Sequence, residues 1–198
     1  TSCQTLNLFQ SVPEPLPKIK KPEGEVKVAL VLGGGGSKGL AHLGVIHALE
    51  AAGIHPDLIV GCSSGALIGA LYADDPYIDK LEKLLLNLKR SDILDFAIFG
   101  AYFGVVKGNL LQHFLKQNLK ARNFDELKIP LIVVATDLKT GELIELGGGE
   151  IIPALRASSA IPGVFKPINY LGRCLVDGGV VNPIPAAIAK KYGAQVII

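Results

Sequence analysis

Asp57-Leu58-Ile59-Val60 runs into Gly61-Cys62-Ser63-Ser64-Gly65, and an apolar run from Ala66 to Ala73 follows. The first four residues read as a short buried strand and the last run as a helix. The five residues between them match G-x-S-x-G, in the strand-to-helix setting that a nucleophile elbow requires. Such a turn is tight, so the residues flanking Ser63 must be small. The helix N-terminus beyond it favours negative charge developing nearby. Read alone, the five residues are equally an ordinary Gly/Ser turn; the chemistry depends on what surrounds them.

Upstream, Val26 to Leu32 is a second buried strand pattern, and it ends at Gly33-Gly34-Gly35-Gly36-Ser37-Lys38-Gly39. Four consecutive glycines are costly in chain entropy. They make sense where backbone N–H groups must approach an anion, either an oxyanion or a phosphate. Gly34-x-Gly36-x-x-Gly39 formally matches a dinucleotide fingerprint, which expects an acid at the end of the next strand. Asp57 has about the right separation but precedes that strand. A Walker A reading fails because Lys38 follows Ser37 and Gly39 occupies the Ser/Thr position. From Lys38 to Ala52, Leu40, Leu43, Val45, Ile46 and Leu49 recur at helical spacing, with Gly53 as the C′ residue.

Downstream, helices are expected over Pro76–Arg90, Asn109–Leu119, Ile151–Ser159 and Pro183–Tyr192. Strands are expected over Pro130–Thr136, Leu143–Leu146, Cys174–Val176 and Gln195–Ile198, with a hairpin turn at Gly141-Glu142. Strands alternating with helices imply a mostly parallel sheet covered on both faces. Residues 1–25 differ: Pro13, Pro15, Pro17 and Pro22 with Lys18, Lys20 and Lys21 read as a Pro-rich tether. The expected organisation is therefore that tether followed by a catalytic domain over 26–198. The chain starts at Thr1 and contains no Met, so it reads as a processed product or a fragment, and its last strand is expected to continue past Ile198.

Composition narrows the classes. The chain has 198 residues, 49% hydrophobic and 19% charged, which excludes wholesale disorder. A net charge of +2 without a basic stripe gives no footprint for nucleic acid. Three cysteines make neither a disulfide scaffold nor a metal site at zinc-ligand spacing. No apolar run reaches the ~20 residues of a spanning helix.

A serine nucleophile needs a general base within hydrogen-bond reach. The four histidines, His42, His47, His55 and His113, all precede the strand that ends at Asp177-Gly178-Gly179. In the Ser–acid–His order none would follow the acid. Either a His lies beyond Ile198, or a carboxylate acts directly on Ser63.

Together these blocks resemble the patatin-like phospholipase family, in its compact bacterial form, from about Val28 to the end. Gly34 to Gly39 is similar to the family's oxyanion segment, Ser63 sits in its G-x-S-x-G, and Asp177-Gly178-Gly179 matches its D-G-G/A. Leu40 to Gly44, Ala135 to Leu138, Arg156 to Gly163 and Val180 to Pro185 also look like family blocks. The resemblance implies a three-layer α/β/α fold and a Ser–Asp dyad without a catalytic His. Ser63 would be the nucleophile and Asp177 the general base. Gly34, Gly35 and Gly36 would hold the oxyanion, with Gly39, Gly61, Gly65, Gly178 and Gly179 as motif glycines. It implies a serine esterase on lipid or other acyl-ester substrates, with no cofactor, no metal, no nucleic acid, and contact with a membrane surface. The alternatives are an acyltransferase or thioesterase on the same dyad, or a non-catalytic lipid- or nucleotide-binding protein.

Other residues carry two readings each. Phe96, Phe99, Tyr102 and Phe103 line an acyl channel, touch a membrane, or pack in the core. Lys38 contacts an anionic head group or is a plain helix-start lysine. His42 and His47 read as core or surface residues, Cys62 as a small packed thiol, and Asp137 as a strand-end group. Thr1-Ser2-Cys3 is similar to the end of a bacterial lipoprotein signal. Cys3 is then a lipid attachment site that anchors a periplasmic protein; otherwise it is an ordinary thiol and the protein is cytoplasmic.

Overall fold

Side-chain alternation decides which face of the sheet each strand residue meets. The computed structural model describes residues 12–88 and 108–198. Its strands are β1 (Val28–Leu32), β2 (Leu58–Cys62), β3 (Leu131–Asp137), β4 (Leu143–Leu146), β5 (Ile168–Tyr170), β6 (Arg173–Asp177) and β7 (Val196–Ile197). Its helices are α1 (Ala41–Ala51), α2 (Ser64–Asp74), α3 (Ile78–Leu86), α4 (Asn109–Asn118), α5 (Ile151–Ser158) and α6 (Ala186–Lys191). Leu30, Leu32, Ile59, Leu131, Val133, Ala135 and Leu175 meet α1 to α5 in one core. Ala29, Leu58, Val60, Cys62, Ile132 and Val134 point the other way, where α6 supplies Ile188 and Ala189. Both faces are covered, which is why β2 and the first five residues of β3 carry no polar side chain other than the Cys62 thiol, and every residue of both strands is buried, Thr136 and Asp137 at the end of β3 included.

β7, β1, β2 and β3 are mutually parallel neighbours, and β4, β5 and β6 join antiparallel. β3 organises the sheet. β2 pairs with its residues 131–134, and β4 with 133–136, so these two occupy opposite edges. β6 pairs with 135–137. Because β4 already holds one edge at 135 and 136, β6 lies on the edge that β2 leaves at Cys62. The C-terminal ends of β2 and β6 therefore run at each other along one edge of β3.

Most expected elements are present within a few residues. The helix expected from Lys38 begins as a 3-10 turn over Gly36–Leu40 and becomes α1 at Ala41. It ends at Ala51, capped by Ala52 and followed by Gly53 at φ +70°, with the Gly53 N–H on the Glu50 carbonyl and the Ile54 N–H on that of Leu49. Pro183 and Pro185 delay the last helix to Ala186. β5 was not expected. It forms a hairpin with β6 through Leu171 and Gly172, both at positive φ (49° and 75°). A leucine in that conformation is an unusual turn signal.

The Pro-rich N-terminal segment meets the body at several points. Glu14 N–H donates to Leu171 O, Lys20 N–H to Gly147 O, and Leu16 packs against the larger core. A Cβ on Gly148 would collide with the Lys18 carbonyl, which accounts for the Gly147–Gly149 run. Cys3 and the aromatic group at Phe96, Phe99, Tyr102 and Phe103 lie outside the described residues.

Candidate active site

The elbow is as tight as its glycines suggest. Ser63 has φ 50° and ψ −121°, a sparsely populated conformation for a residue with a side chain. A Cβ on Gly61 would come within 2.6 Å of Ala66 Cα, and one on Gly65 would overlap the Leu32 carbonyl oxygen. Both glycines are required by contact with backbone. Gly39 is required by contact with Ser64, whose Oγ would lie 2.5 Å from an added Cβ. The elbow therefore packs directly under the glycine block.

Ser63 Oγ donates to Asp177 Oδ2 at 2.6 Å. The other carboxylate oxygen accepts from the Gly179 N–H at 2.7 Å and faces the Cys62 thiol at 3.9 Å. Gly178 permits this approach, since a Cβ there would stand 2.5 Å from the Val134 carbonyl oxygen. Both side chains are buried, Ser63 at 6% and Asp177 at 5% exposure. Burial pushes the Asp177 carboxyl above its ordinary value, against the opposing hydrogen bonds from Ser63, Gly179 and Cys62. The same burial, with the adjacent Asp177 charge, pushes the Cys62 thiol up to about 12. Cys62 is thus a packed, protonated thiol, far from thiolate chemistry.

The glycine block flanks the pair. A Cβ on Gly34 would sit 3.4 Å from Ser63 Cβ, so Gly34 lies directly against the serine. Its N–H, however, donates to the Pro183 carbonyl at 2.9 Å. Gly35 and Gly36 are exposed, and their N–H groups have no acceptor among the described residues. Of the three glycines expected to hold an anion, these two carry the unengaged donors.

No His ring nitrogen bonds Ser63 or Asp177, although all four histidines are described. His42 instead donates from Nε2 to the Gly33 carbonyl at 2.9 Å, fixing the start of the glycine block. Sequence patterning gave no sign of this, because the acceptor is backbone. Ser158 was missed for the same reason: its Oγ accepts from the Ser63 N–H at 3.0 Å. Asp57, the acid a nucleotide reading needs, accepts from Val28 N–H at the start of β1, at the opposite end of the sheet from the glycines. His47, Asp79 and Glu82 bring ligand atoms within 4.8 Å of one another on α1 and α3, and His47 and Asp79 are exposed. His47 and Glu82 there form a helix–helix contact of 3.2 Å. No helix among the described residues is long and apolar enough to cross a membrane.

An α/β sheet that presents a serine at a strand–helix elbow, beside a glycine-rich turn, is the scaffold of many acyl-transfer proteins. Residues 30–190 match the patatin-like phospholipase family, and the chain belongs to it. It is 35% identical over 175 residues to an uncharacterized NTE family protein of Mycobacterium tuberculosis, covering 87% of this chain and 48% of that one. It is 32% identical over 177 residues to the human patatin-like phospholipase domain-containing protein 6, covering 86% of this chain and 13% of that one. The chain thus spans about half the length of the mycobacterial relative. The crystal structure of VipD from Legionella pneumophila shares the fold, with TM-score 0.61, 17% identity, and coverage of 91% of this chain and 52% of that one.

Proposed function

We propose that this chain is a serine lipid acyl hydrolase of phospholipase A or carboxylesterase type, with Ser63 as nucleophile and Asp177 as its general base. The observation that carries the reading is the 2.6 Å hydrogen bond from Ser63 Oγ to Asp177 at the N-terminus of α2. Oγ attacks the ester carbonyl as its proton passes to Asp177. The carbonyl electron pair moves onto oxygen, and the tetrahedral oxyanion faces the Gly35 and Gly36 N–H groups and the first turn of α2. A preorganised donor of this kind is worth ~3–4 kcal/mol of barrier. Collapse breaks the ester C–O bond, and the leaving alcohol takes the proton from Asp177. Water then repeats the sequence on the acyl-enzyme, with Asp177 again as base, and releases the acid.

A lipid substrate is supported by the residues around the site. Leu40, Ile161, Val164, Val180, Val181 and Ile184 are all exposed large apolar residues, and each follows a site-forming segment. The stretches that carry them, 33–45, 159–168 and 178–189, contain Lys38 and Lys166 and no carboxylate. Such a rim suits acyl chains and anionic head groups.

The test is labelling by a fluorophosphonate probe, with hydrolysis of p-nitrophenyl esters in parallel. Wild type should label and turn over. Ser63→Ala should do neither, and Asp177→Asn should do both at least ~100-fold more slowly. A folded wild type that neither labels nor turns over would remove the reading.

A further inference from the structure

The end of α5 touches both members of the pair. Ser158 Oγ accepts from the Ser63 N–H at 3.0 Å. Two residues on, the Ala160 carbonyl accepts from the Asp177 N–H, also at 3.0 Å. Ser158 is wholly buried (0% exposed) and Ala160 nearly so (1%). One three-residue segment thus holds the main chains of two residues that arrive from different strands.

The two contacts differ in kind. Asp177 is held by a carbonyl, so no side-chain substitution removes its bond. Ser63 is held by a side chain, and it is the residue with the strained backbone, which persists only when its surroundings over-determine it. Its N–H lies just before the first turn of α2, where no intrahelical acceptor exists. We infer that Ser158 is a positioning residue: it accepts the Ser63 N–H, fixes the elbow at its positive φ, and so aims Oγ at Asp177. The inference rests on the reading of Ser63 as nucleophile. It has a consequence for the oxyanion site. With its N–H bound to Ser158, Ser63 supplies no donor of its own, and the donors come from Gly35, Gly36 and the α2 terminus.

The experiment compares wild type, Ser63→Ala, Ser158→Ala, Ser158→Cys and Ser158→Thr. Cysteine keeps the volume with a poor acceptor, and threonine keeps the hydroxyl. Melting temperature, fluorophosphonate labelling rate, and KM, kcat and pH profile on a p-nitrophenyl ester are measured on each. Misaiming a nucleophile by about 1 Å costs up to ~100-fold in rate. The expected result is a labelling rate and kcat lower by ~10–100-fold in the Ala and Cys variants, with KM and the acid limb unchanged and substantial recovery in the Thr variant. The unchanged acid limb reports that Asp177 has kept its environment. Folded Ala or Cys variants that label at the wild-type rate would overturn the inference, whatever their melting temperature. Should one of these two fail to fold, the other decides. Equal labelling of wild type and Ser63→Ala would overturn the nucleophile reading itself, an outcome distinct from the first.

Discussion

Cys62 and Asp177 end two strands that meet head-on along one edge of β3, Cys62 opposite Val134 and Asp177 opposite the next residue, Ala135. The residue after Cys62 is Ser63, so this register delivers the serine hydroxyl to the carboxylate across 114 residues of sequence. The meeting point leaves no room beside it. Gly61, Gly65 and Gly178 each face backbone atoms that a methyl group would overlap. Gly65→Ala and Gly178→Ala should each cost at least ~1–3 kcal/mol, the usual range for overpacking. Gly44, in the interior of α1 with nothing within 4 Å of an added Cβ, is the control. Gly44→Ala should gain ~0.5–1 kcal/mol from helix propensity. Urea unfolding of the three variants checks the order; a neutral Gly65→Ala would mean that the elbow can widen.

The raised pKa of Asp177 links activity and stability with opposite signs. In the proposed scheme Asp177 acts as a base and must be ionised, so kcat/KM should fall with decreasing pH through a limb above the ordinary Asp value of 3.8. The proposed scheme needs no His as a base on that limb. For stability, the folded state binds the Asp177 proton more tightly than the unfolded chain does. This contribution is therefore fully present below the unfolded pKa and declines as pH rises through the raised folded value. At neutral pH the buried charge opposes folding. Asp177→Asn should thus melt at a higher temperature than wild type at pH 8 while losing activity. A lower melting temperature at that pH would show that the hydrogen bonds to the ionised form outweigh its burial.

His42 should matter for turnover without taking part in proton transfer. Its Nε2–H holds the Gly33 carbonyl, one residue before the block that lies against Ser63. His42→Ala should lower kcat by ~10-fold through a looser glycine turn, since small misplacements of an oxyanion site are costly. His42→Gln, which still offers an N–H donor, should recover part of that loss. The pH profile should keep its wild-type shape in both variants. Replacement of His47, His55 or His113 should leave kcat within about twofold, as expected of surface substitutions. Loss of turnover on conservative replacement of any one of the four, with the fold intact, would replace the two-residue scheme with one that contains a His.

What could be read from sequence was what is local or periodic. The strand patterns at Val26–Leu32 and Pro130–Thr136, the Gly53 helix end, the Gly141 hairpin and the strand–helix placement of Ser63 all follow from short-range rules. Features made by contact between distant segments were not readable. β5 depends on Leu171 adopting a positive φ that its side chain disfavours. The Gly147–Gly149 run answers to the carbonyl of Lys18, far away in sequence. His42 and Ser158 act on backbone groups, and backbone carries no residue type to match. The Gly34 N–H lay within the expected donor set, but the bend at Pro183 takes it.

On the proposed reading, the apolar rim separates lipid chemistry from general esterase chemistry. Val180 and Val181 follow the Asp177 turn, and Ile184 reaches back to Gly33, where an added Cβ would be 3.3 Å from its Cγ1. Leu40 closes the 3-10 turn on the other side of the glycine block. A soluble short-chain ester needs only the elbow and its donors. A long-chain lipid packed in an aggregate must leave it for the site, and exposed apolar side chains at the mouth lower the cost of that transfer by roughly 25 cal/mol per Å² of apolar surface kept from water. Val180→Ser and Ile184→Ser together should therefore lower activity on phospholipid vesicles by ~10-fold or more while leaving p-nitrophenyl acetate hydrolysis within twofold. Both side chains are exposed, so the fold should tolerate the change. Equal loss on both substrates would assign these residues to the shape of the site itself. No loss on either would show that vesicle lipids reach Ser63 without help from this edge.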